Sequence, residues 1–190
     1  MEIVVKRKKY EIVKELDETS SLLARKNKLF KLAKYDENSF KDFLNYYSRV
    51  AHSGINVFKV VAIDKKDRYV LTKYLEGELV LNLLIKGDLS EDIYQQIFNA
   101  SWYGKMGQLK FNFSPDKWLL VGSKLYYSIY EAKPYTKEDD FIKGDANLWF
   151  YTKNFVEYLK ELGLHADESR LKSEYDTTLE MLKMATKFYK

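Results

Sequence analysis

The residue types that most often carry catalysis are scarce in this chain. It has no cysteine, which excludes thiol catalysis, a disulfide framework, cysteine-ligated zinc and iron–sulfur clusters. The two histidines, His52 and His165, lie far apart and share no short ligand motif, so a histidine-rich metal site is not expected. Chemistry would fall to carboxylates such as Asp116 and the acidic run Glu138-Asp139-Asp140, although a solvated loop also explains that run.

Length and composition limit the class of protein. A chain of 190 residues fits one domain, or one domain of two small lobes, and buries about 70% of its unfolded surface. Its 46% hydrophobic and 16% aromatic content is too high for intrinsic disorder. No apolar run approaches the ~20 residues of a membrane span, and the apolar Ile3-Val4-Val5 precedes the first basic run, the reverse of a secretory signal. These features predict a cytoplasmic protein without membrane contact.

The net charge of +4 is concentrated near the N-terminus. The run Lys6-Arg7-Lys8-Lys9 could contact nucleic acid, and exposed tyrosines could stack on single-stranded bases. Lysine on an edge strand also blocks unwanted strand pairing, and Tyr47, Tyr158 and Tyr175 lie close to helical apolar stripes. We therefore do not favour nucleic acid as the partner.

The elements that must position the chemical groups begin with β-structure. Partial alternation and turn residues predict three antiparallel strands in the first third of the chain, followed by a helix and two more strands. The helix is predicted because its apolar residues recur at helical spacing. Asn38 or Ser39 would cap its start, and Gly54 would end it. That stripe consists of Phe40, Phe43, Leu44, Tyr47, Val50 and Ala51. The predicted strands are 10–16, 21–25, 29–33, 57–63 and 68–75.

Beyond Gly77 helical patterns predominate. Asp88 or Ser90 can cap a helix that runs to about Met106. A hairpin across Gly122-Ser123 then joins two strands, and two helical patterns end the chain. The hairpin strands are 118–121 and 124–130, the first final helix carries Leu148, Phe155, Leu159 and Leu162, and the second carries Leu171, Tyr175, Leu179, Leu182 and Phe188. One apolar stripe is normal for a surface helix, so we expect the last helix to pack on this chain rather than on a second chain.

This order of elements predicts an α+β fold in two lobes. Residues 1–77 would form a β-rich lobe and residues 78–190 a mostly helical one, with Gly77 at the boundary. The three tryptophans are expected in or near the core; they are Trp102, Trp118 and Trp149.

Three stretches carry a resemblance to a known family: Leu29-Phe30-Lys31-Leu32-Ala33, Tyr69 to Gly77, and Lys110 to Leu120. In this order, with a helix after the first, they resemble the protein-kinase-like superfamily. Its small bacterial and archaeal phosphotransferases, related to aminoglycoside kinases, are the most similar branch. The resemblance covers about residues 9–160. It implies a two-lobed kinase-like fold, with ATP and Mg²⁺ as the cofactors of an active member.

The resemblance assigns roles to residues that would bind the nucleotide. Lys31 corresponds to the lysine that holds the α- and β-phosphates and pairs with a helix carboxylate, for which Asp42 is the candidate. Tyr74, Leu75 and Glu76 correspond to the hinge, whose backbone binds adenine.

The catalytic segments match the family in shape and differ in chemistry. Aligned on Pro115, Asn112 takes the place of the catalytic aspartate and Lys117 that of the metal-binding asparagine. Ile129 replaces the metal-binding aspartate, and Asp17 to Ser21 stand where the family has a glycine-rich loop. An asparagine cannot accept the substrate proton as a carboxylate does, and isoleucine cannot hold Mg²⁺.

These replacements predict a degenerate kinase, or pseudokinase, that acts as a binding scaffold for a protein partner and binds nucleotide weakly at most. A divergent ATP-dependent phosphotransferase is the alternative, with either Asp116 or the acidic run Glu138-Asp139-Asp140 supplying the missing carboxylate. Nucleic-acid binding through the basic N-terminus is the third hypothesis. Asn112 and Asp116 are thus the positional candidates for catalysis, and no set of metal ligands is predicted.

Overall fold

The fold is α+β, as the sequence predicts. It is described by a computed structural model that covers residues 2–189, and Met1 and Lys190 lie outside the described residues. The elements of the first part are β1 (Glu2–Val5), β2 (Lys8–Asp17), β3 (Ser20–Arg25), β4 (Lys28–Lys34), α1 (Glu37–Ala51), β5 (Asn56–Val57), β6 (Val60–Asp64) and β7 (Tyr69–Lys73).

Six of these strands form one curled antiparallel sheet in the order β1-β2-β3-β4-β7-β6. The three strands predicted in the first third are confirmed as β2, β3 and β4, and the two predicted after the helix include β6 and β7. Strand β1 was not predicted. It lies at the edge of the sheet and pairs only with β2.

Two-residue turns close two hairpins of this sheet. Lys6 and Arg7, with φ of 47° and 63°, join β1 to β2, and Lys26 and Asn27, with φ of 49° and 55°, join β3 to β4. Left-handed backbone at both central residues matches the twist of the flanking strands. The basic run at 6–9 therefore lies on an exposed hairpin at the sheet edge, which agrees with its interpretation as edge protection.

The two faces of the sheet contribute to different cores. One face carries a small cluster made of Val5, Tyr10, Leu23, Leu32 and Leu71. Successive side chains of a strand point to opposite faces, so Lys31 and Val70 lie on the other face, where Val70 joins the larger core. Lys31 is thus on the face of the sheet that is turned toward the helices.

Helix α1 confirms the predicted helix but begins with a different cap. Asp36, and neither Asn38 nor Ser39, is the N-cap residue, because its carboxylate accepts hydrogen bonds from both of those backbone N–H groups at 2.9 and 3.0 Å. The helix buries Phe40, Phe43 and Val50 in the larger core. His52 is the C-cap, and the predicted stop residue Gly54 follows it in left-handed backbone.

The second part of the chain adds helices and two small sheets. Its elements are β8 (Glu78–Leu79), α2 (Val80–Lys86), α3 (Glu91–Met106), β9 (Leu109–Phe111), β10 (Trp118–Val121), β11 (Lys124–Tyr127), β12 (Ala132–Pro134), α4 (Lys153–Glu161) and α5 (Glu174–Phe188). One sheet has the order β5-β11-β10-β8, and β9 pairs with β12. In residues 2–189 no helix is both long and apolar enough to cross a membrane.

Strand β5 ties the first part of the chain to the second. It pairs in parallel with β11, so that Asn56 lies opposite Tyr126, and the Phe58 and Tyr126 rings stack at 5.8 Å between centroids. The large core is continuous from α1 through α3 to α5. Helix α1 is therefore held against the second part of the chain as well as against its own sheet.

Two predicted boundaries in the second part are wrong by a few residues. The second hairpin strand ends at Tyr127 and not at Tyr130. The following helix begins at Lys153, because the Thr152 hydroxyl caps it by accepting from the Phe155 N–H at 3.2 Å, and Leu148 lies in a preceding 3₁₀ turn.

The predicted buried face of the last helix is also wrong. Helix α5 buries Thr177, Met181 and Ala185, whereas Tyr175, Leu179 and Leu182 remain 76%, 39% and 51% exposed. The small Thr177 and Ala185 let the helix axes approach, and α5 packs on α3 through that side. Trp118 and Trp149 are buried in the core, as predicted. Trp102 on α3 is 42% exposed, which differs from the prediction.

Candidate functional site

A cavity of about 510 Å³ lies between α1 and the segments around β9 and β12. We call it the α1 cavity. It brings together three positions that the family resemblance singles out, Asp42, Asn112 and Ile129. The other lining residues are Tyr35, Ser39, Phe43, Tyr46, Lys110, Phe111, Tyr130, Glu131, Ala132, Lys133 and Asp145.

The walls of the α1 cavity are aromatic. Tyr35 and Phe43 lie 5.6 Å apart between ring centroids, and the Tyr130 ring meets Phe43 edge-on, also at 5.6 Å. Tyr46 adds a further half-buried ring from the next turn of α1. Such walls suit a flat or apolar ligand body, with the polar groups at the rim setting its orientation.

Acidic groups outnumber basic groups around the α1 cavity. The carboxylates of Asp42 and Glu131 form no ion pair within residues 2–189. Burial raises the pKa of the Asp145 carboxyl, although the charge of Lys110 acts in the opposite direction. The Lys110 charge is itself paired with Asp139 at 2.6 Å. This balance favours a neutral or cationic polar group and disfavours a phosphate.

Two buried tyrosines three residues apart differ in their hydrogen bonds. The Tyr127 hydroxyl accepts from the Asn112 N–H at 3.0 Å and donates to the Glu131 carbonyl at 2.8 Å. The Tyr130 side chain lines the α1 cavity, is 7% exposed, and its hydroxyl has no hydrogen-bond partner within the described residues. Burial, and then the neighbouring Tyr35, raise the pKa of the Tyr130 hydroxyl.

The two candidate catalytic residues are engaged in contacts within the protein. The Asn112 side-chain oxygen accepts from the Ser114 N–H at 3.0 Å and shapes the turn before Pro115. The Asp116 carboxylate accepts from the Tyr158 hydroxyl at 2.5 Å and pairs with Lys117 at 2.6 Å. Asn112 borders the α1 cavity, whereas Asp116 lies outside its lining.

Lys31 and Asp42 are not brought together. They form no ion pair, and Asp42 borders the α1 cavity while Lys31 does not. The Lys31 charge acts instead on Asp17, whose pKa is lowered to about 2 mainly by hydrogen bonds from Ser20 and Thr19. The Lys31 ammonium therefore lies near the turn at Asp17, although it shares the helix-facing side of the sheet with Val70.

The hinge positions Tyr74, Leu75 and Glu76 leave the sheet after β7. The Tyr74 N–H donates to the Leu29 carbonyl at 3.0 Å, so this backbone group is already bonded. Leu75 is half-buried and Glu76 is exposed. None of the three lines the α1 cavity.

The residues that the sequence did not single out are Lys110, Tyr130, Glu131 and Asp145. Lys110 lies two positions before Asn112 in the stretch that carries the resemblance, which is the one local signal for it. The remaining three come from segments whose relation to α1 depends on how β12 packs against that helix. Within residues 2–189, no group of three or more His, Asp or Glu side chains is arranged to hold a metal ion.

No protein-family model matches the chain, and no curated protein matches it in sequence.

The Lys110–Asp139 pair makes stability depend on pH at the acid end. Hydrogen bonds from the Lys110 ammonium and from Thr136 lower the pKa of Asp139 to about 2, against about 3.9 in an unfolded chain. Because the folded pKa is lower, the stabilising contribution is complete above about pH 4 and is lost as the pH falls through about 2. We expect Asp139→Asn to lower the urea midpoint at pH 6 and to have little effect near pH 2. An equal loss at every pH would contradict this assignment.

Proposed function

We propose that this protein is a kinase-like binding scaffold that does not catalyse efficient phosphotransfer. The observation that carries the proposal is the engagement of Asp116, whose two carboxylate oxygens bond to Tyr158 and Lys117. A general base needs a lone pair directed at the substrate proton. Asn112, at the position of the family's catalytic aspartate, uses its side-chain oxygen in a local turn.

The electrostatics of the α1 cavity also support a binding role. Phosphoryl transfer requires positive charge around the transferred group. Around this cavity Asp42, Glu131 and Asp145 face Lys110 and Lys133, and the Lys110 charge is shared with an aspartate outside the lining. A triphosphate would meet net repulsion there, whereas a neutral or cationic ligand would not.

The test is ATP turnover and ATP binding in the same preparation. We expect phosphate release from ATP and Mg²⁺ to stay at the level of a buffer blank, in the wild type and in Asp116→Asn alike. A nucleotide present at 100 times its dissociation constant would raise the free energy of unfolding by about 2.7 kcal/mol. We expect a shift below about 1 kcal/mol at millimolar ATP, consistent with weak binding.

Two lysine variants distinguish specific nucleotide binding from a general effect of charge. Lys31 and Lys34 lie on the same strand, and only Lys31 occupies the position that the resemblance implies. A small ATP-induced shift that is lost in Lys31→Met and kept in Lys34→Met supports kinase-like nucleotide binding. Mg²⁺-dependent phosphate release that disappears in Asp116→Asn would overturn the proposal in favour of a divergent phosphotransferase.

A further inference from the structure

Helix α5 presents an apolar stripe that nothing in residues 2–189 covers. We define the α5 stripe as Tyr175, Leu179 and Leu182, which are 76%, 39% and 51% exposed. They recur at i, i+4 and i+7 and therefore lie on one side of the helix. The side that packs on the protein, with Thr177, Met181 and Ala185, is turned away from the stripe by roughly a third of the helix circumference. The helix is thus apolar on two sides, and only one of them is buried.

The stripe has the spacing of a helix–helix contact. Apolar residues that alternate three and four positions apart form the seam of paired helices. Thr186 continues the same line by one more turn, and Leu171, just before the helix, is another exposed leucine. The whole of α5, from Glu174 to Phe188, could therefore lie along a second helix.

The charges beside the α5 stripe are arranged to complement themselves. Four charged side chains flank the stripe on one side: Asp176, Glu180, Lys183 and Lys187. Glu180 is already paired with Lys172, and Lys187 with Glu91. Asp176 and Lys183 form no ion pair within residues 2–189. The two charges left over are of opposite sign and lie two helical turns apart.

We propose that the α5 stripe is a dimer interface, in which α5 packs antiparallel against α5 of a second copy of this chain. A two-fold axis between Leu179 and Leu182 brings each leucine opposite the other leucine of the second copy. The same axis places Asp176 of each copy within one helical turn of Lys183 of the other, on the flank where both lie. It also brings the two Glu180 side chains together, and each of these is already paired with Lys172 of its own chain. A two-fold interface must be self-complementary in this way, so that each pair occurs twice.

Other occupants fit the α5 stripe less well. An anionic membrane surface would gain no net attraction from the flanking charges, because the two lysines are offset by Asp176 and Glu180. A single pair of helices of this length buries less than the ~1,200 Å² of a standard stable interface. We therefore expect a weak dimer that forms at tens of micromolar chain and above.

Sedimentation equilibrium of the full chain over a range of concentrations tests this interface. We expect the mean mass to rise from 22.6 kDa toward twice that value. Leu179→Gln combined with Leu182→Gln changes only exposed side chains and should weaken association at least ~10-fold. Leu162→Gln is the matched control, because Leu162 is also an exposed leucine but lies outside α5, and it should leave association unchanged.

A charge exchange tests the antiparallel geometry. Asp176→Lys or Lys183→Asp alone places like charges together twice and should weaken association by about fivefold, more at low salt. The two changes combined should restore it to within about twofold of the wild type. Asp176 also accepts from the Ser173 hydroxyl at the start of α5, so far-UV circular dichroism must show that each variant keeps its helix content.

Four results would overturn the proposal. The first is a wild type that stays monomeric up to about 1 mM, and the second is association that the double substitution Leu179→Gln and Leu182→Gln leaves unchanged. The third is a combined charge exchange that fails to restore association, and the fourth is a monomer that binds anionic phosphatidylserine vesicles through the α5 stripe. The last result would assign the stripe to a lipid surface. Because the readout is mass, failure here leaves the ATP experiment and the scaffold proposal unaffected.

Discussion

Tyr127→Phe is expected to lower the free energy of unfolding by about 2–3 kcal/mol, because two backbone groups then lose their hydrogen-bond partner. Those groups are the Asn112 N–H and the Glu131 carbonyl, which the Tyr127 hydroxyl now bridges at 3.0 and 2.8 Å. The hydroxyl ties the loop after β9 to the segment before β12. Its loss therefore also loosens one wall of the α1 cavity.

The matched control is the same substitution at Tyr130. Its hydroxyl is buried without a partner in the described residues, so Tyr130→Phe removes an unsatisfied polar group. We expect the free energy of unfolding to rise by about 1 kcal/mol. Both variants keep the aromatic ring, and urea titrations followed by tryptophan fluorescence compare them directly. Equal destabilisation by the two substitutions would contradict this account of the Tyr130 hydroxyl.

Gly77→Ala is expected to cost about 2–3 kcal/mol of stability, because a new methyl group has no room there. A Cβ atom at Gly77 would lie 2.5 Å from the Leu120 carbonyl oxygen, and 2.9 and 3.0 Å from the side chains of Val121 and Leu119. The carbonyl belongs to the backbone of β10 and cannot move aside as a side-chain tip can. The segment between β7 and β8 would have to shift instead.

Gly107→Ala provides the control for that substitution. Gly107 ends α3 with φ of −80°, a backbone that alanine adopts readily, and the nearest atom to a Cβ there is the carbonyl of Tyr103 in the preceding turn, at 3.2 Å. We expect its effect to stay within about 0.5 kcal/mol. Thermal unfolding of both variants checks the comparison. If Gly107→Ala lost as much stability as Gly77→Ala, the loss at Gly77 would come from reduced backbone flexibility and not from lack of space for a methyl group.

Local patterns in the sequence were sufficient for most of the elements. Helix α1 follows from the spacing of Phe40, Phe43 and Val50, and the hairpin at Lys26 and Asn27 from two runs of strand residues around a short polar link. The cap at Asp36 was missed because Asn38 and Ser39 are equally good capping types. Side-chain geometry, which the sequence does not show, decides among such neighbours.

The face that α5 buries could not be predicted from periodicity. Both sides of the helix carry apolar residues, and the side with the bulkier side chains, including Leu179 and Leu182, is the exposed one. The choice depends on how closely α3 can approach, which favours the side with Thr177 and Ala185. A pattern within one helix contains no information about its neighbour.

The candidate site divides in the same way. The resemblance selected Asp42, Asn112 and Ile129, and they border one cavity, but Lys31 and Asp116 do not join them. Lys31 points to one face of β4 because successive side chains of a strand alternate between the two faces of the sheet. Asp116 accepts a hydrogen bond from Tyr158, which lies 42 positions away along the chain. A sequence position fixes a residue type but not its partner.

The amino-acid sequence by itself determined which chemistries are absent and which local elements form. The lack of cysteine and the polar or apolar type at Asn112, Lys117 and Ile129 are chemical facts that no fold can alter. The tertiary structure alone decided which charges are paired, as for Lys110 with Asp139, and which apolar side of α5 is exposed. The physical reason is range: helices, turns and caps depend on residues a few positions apart, whereas ion pairs and packing depend on residues that only the folded chain brings together.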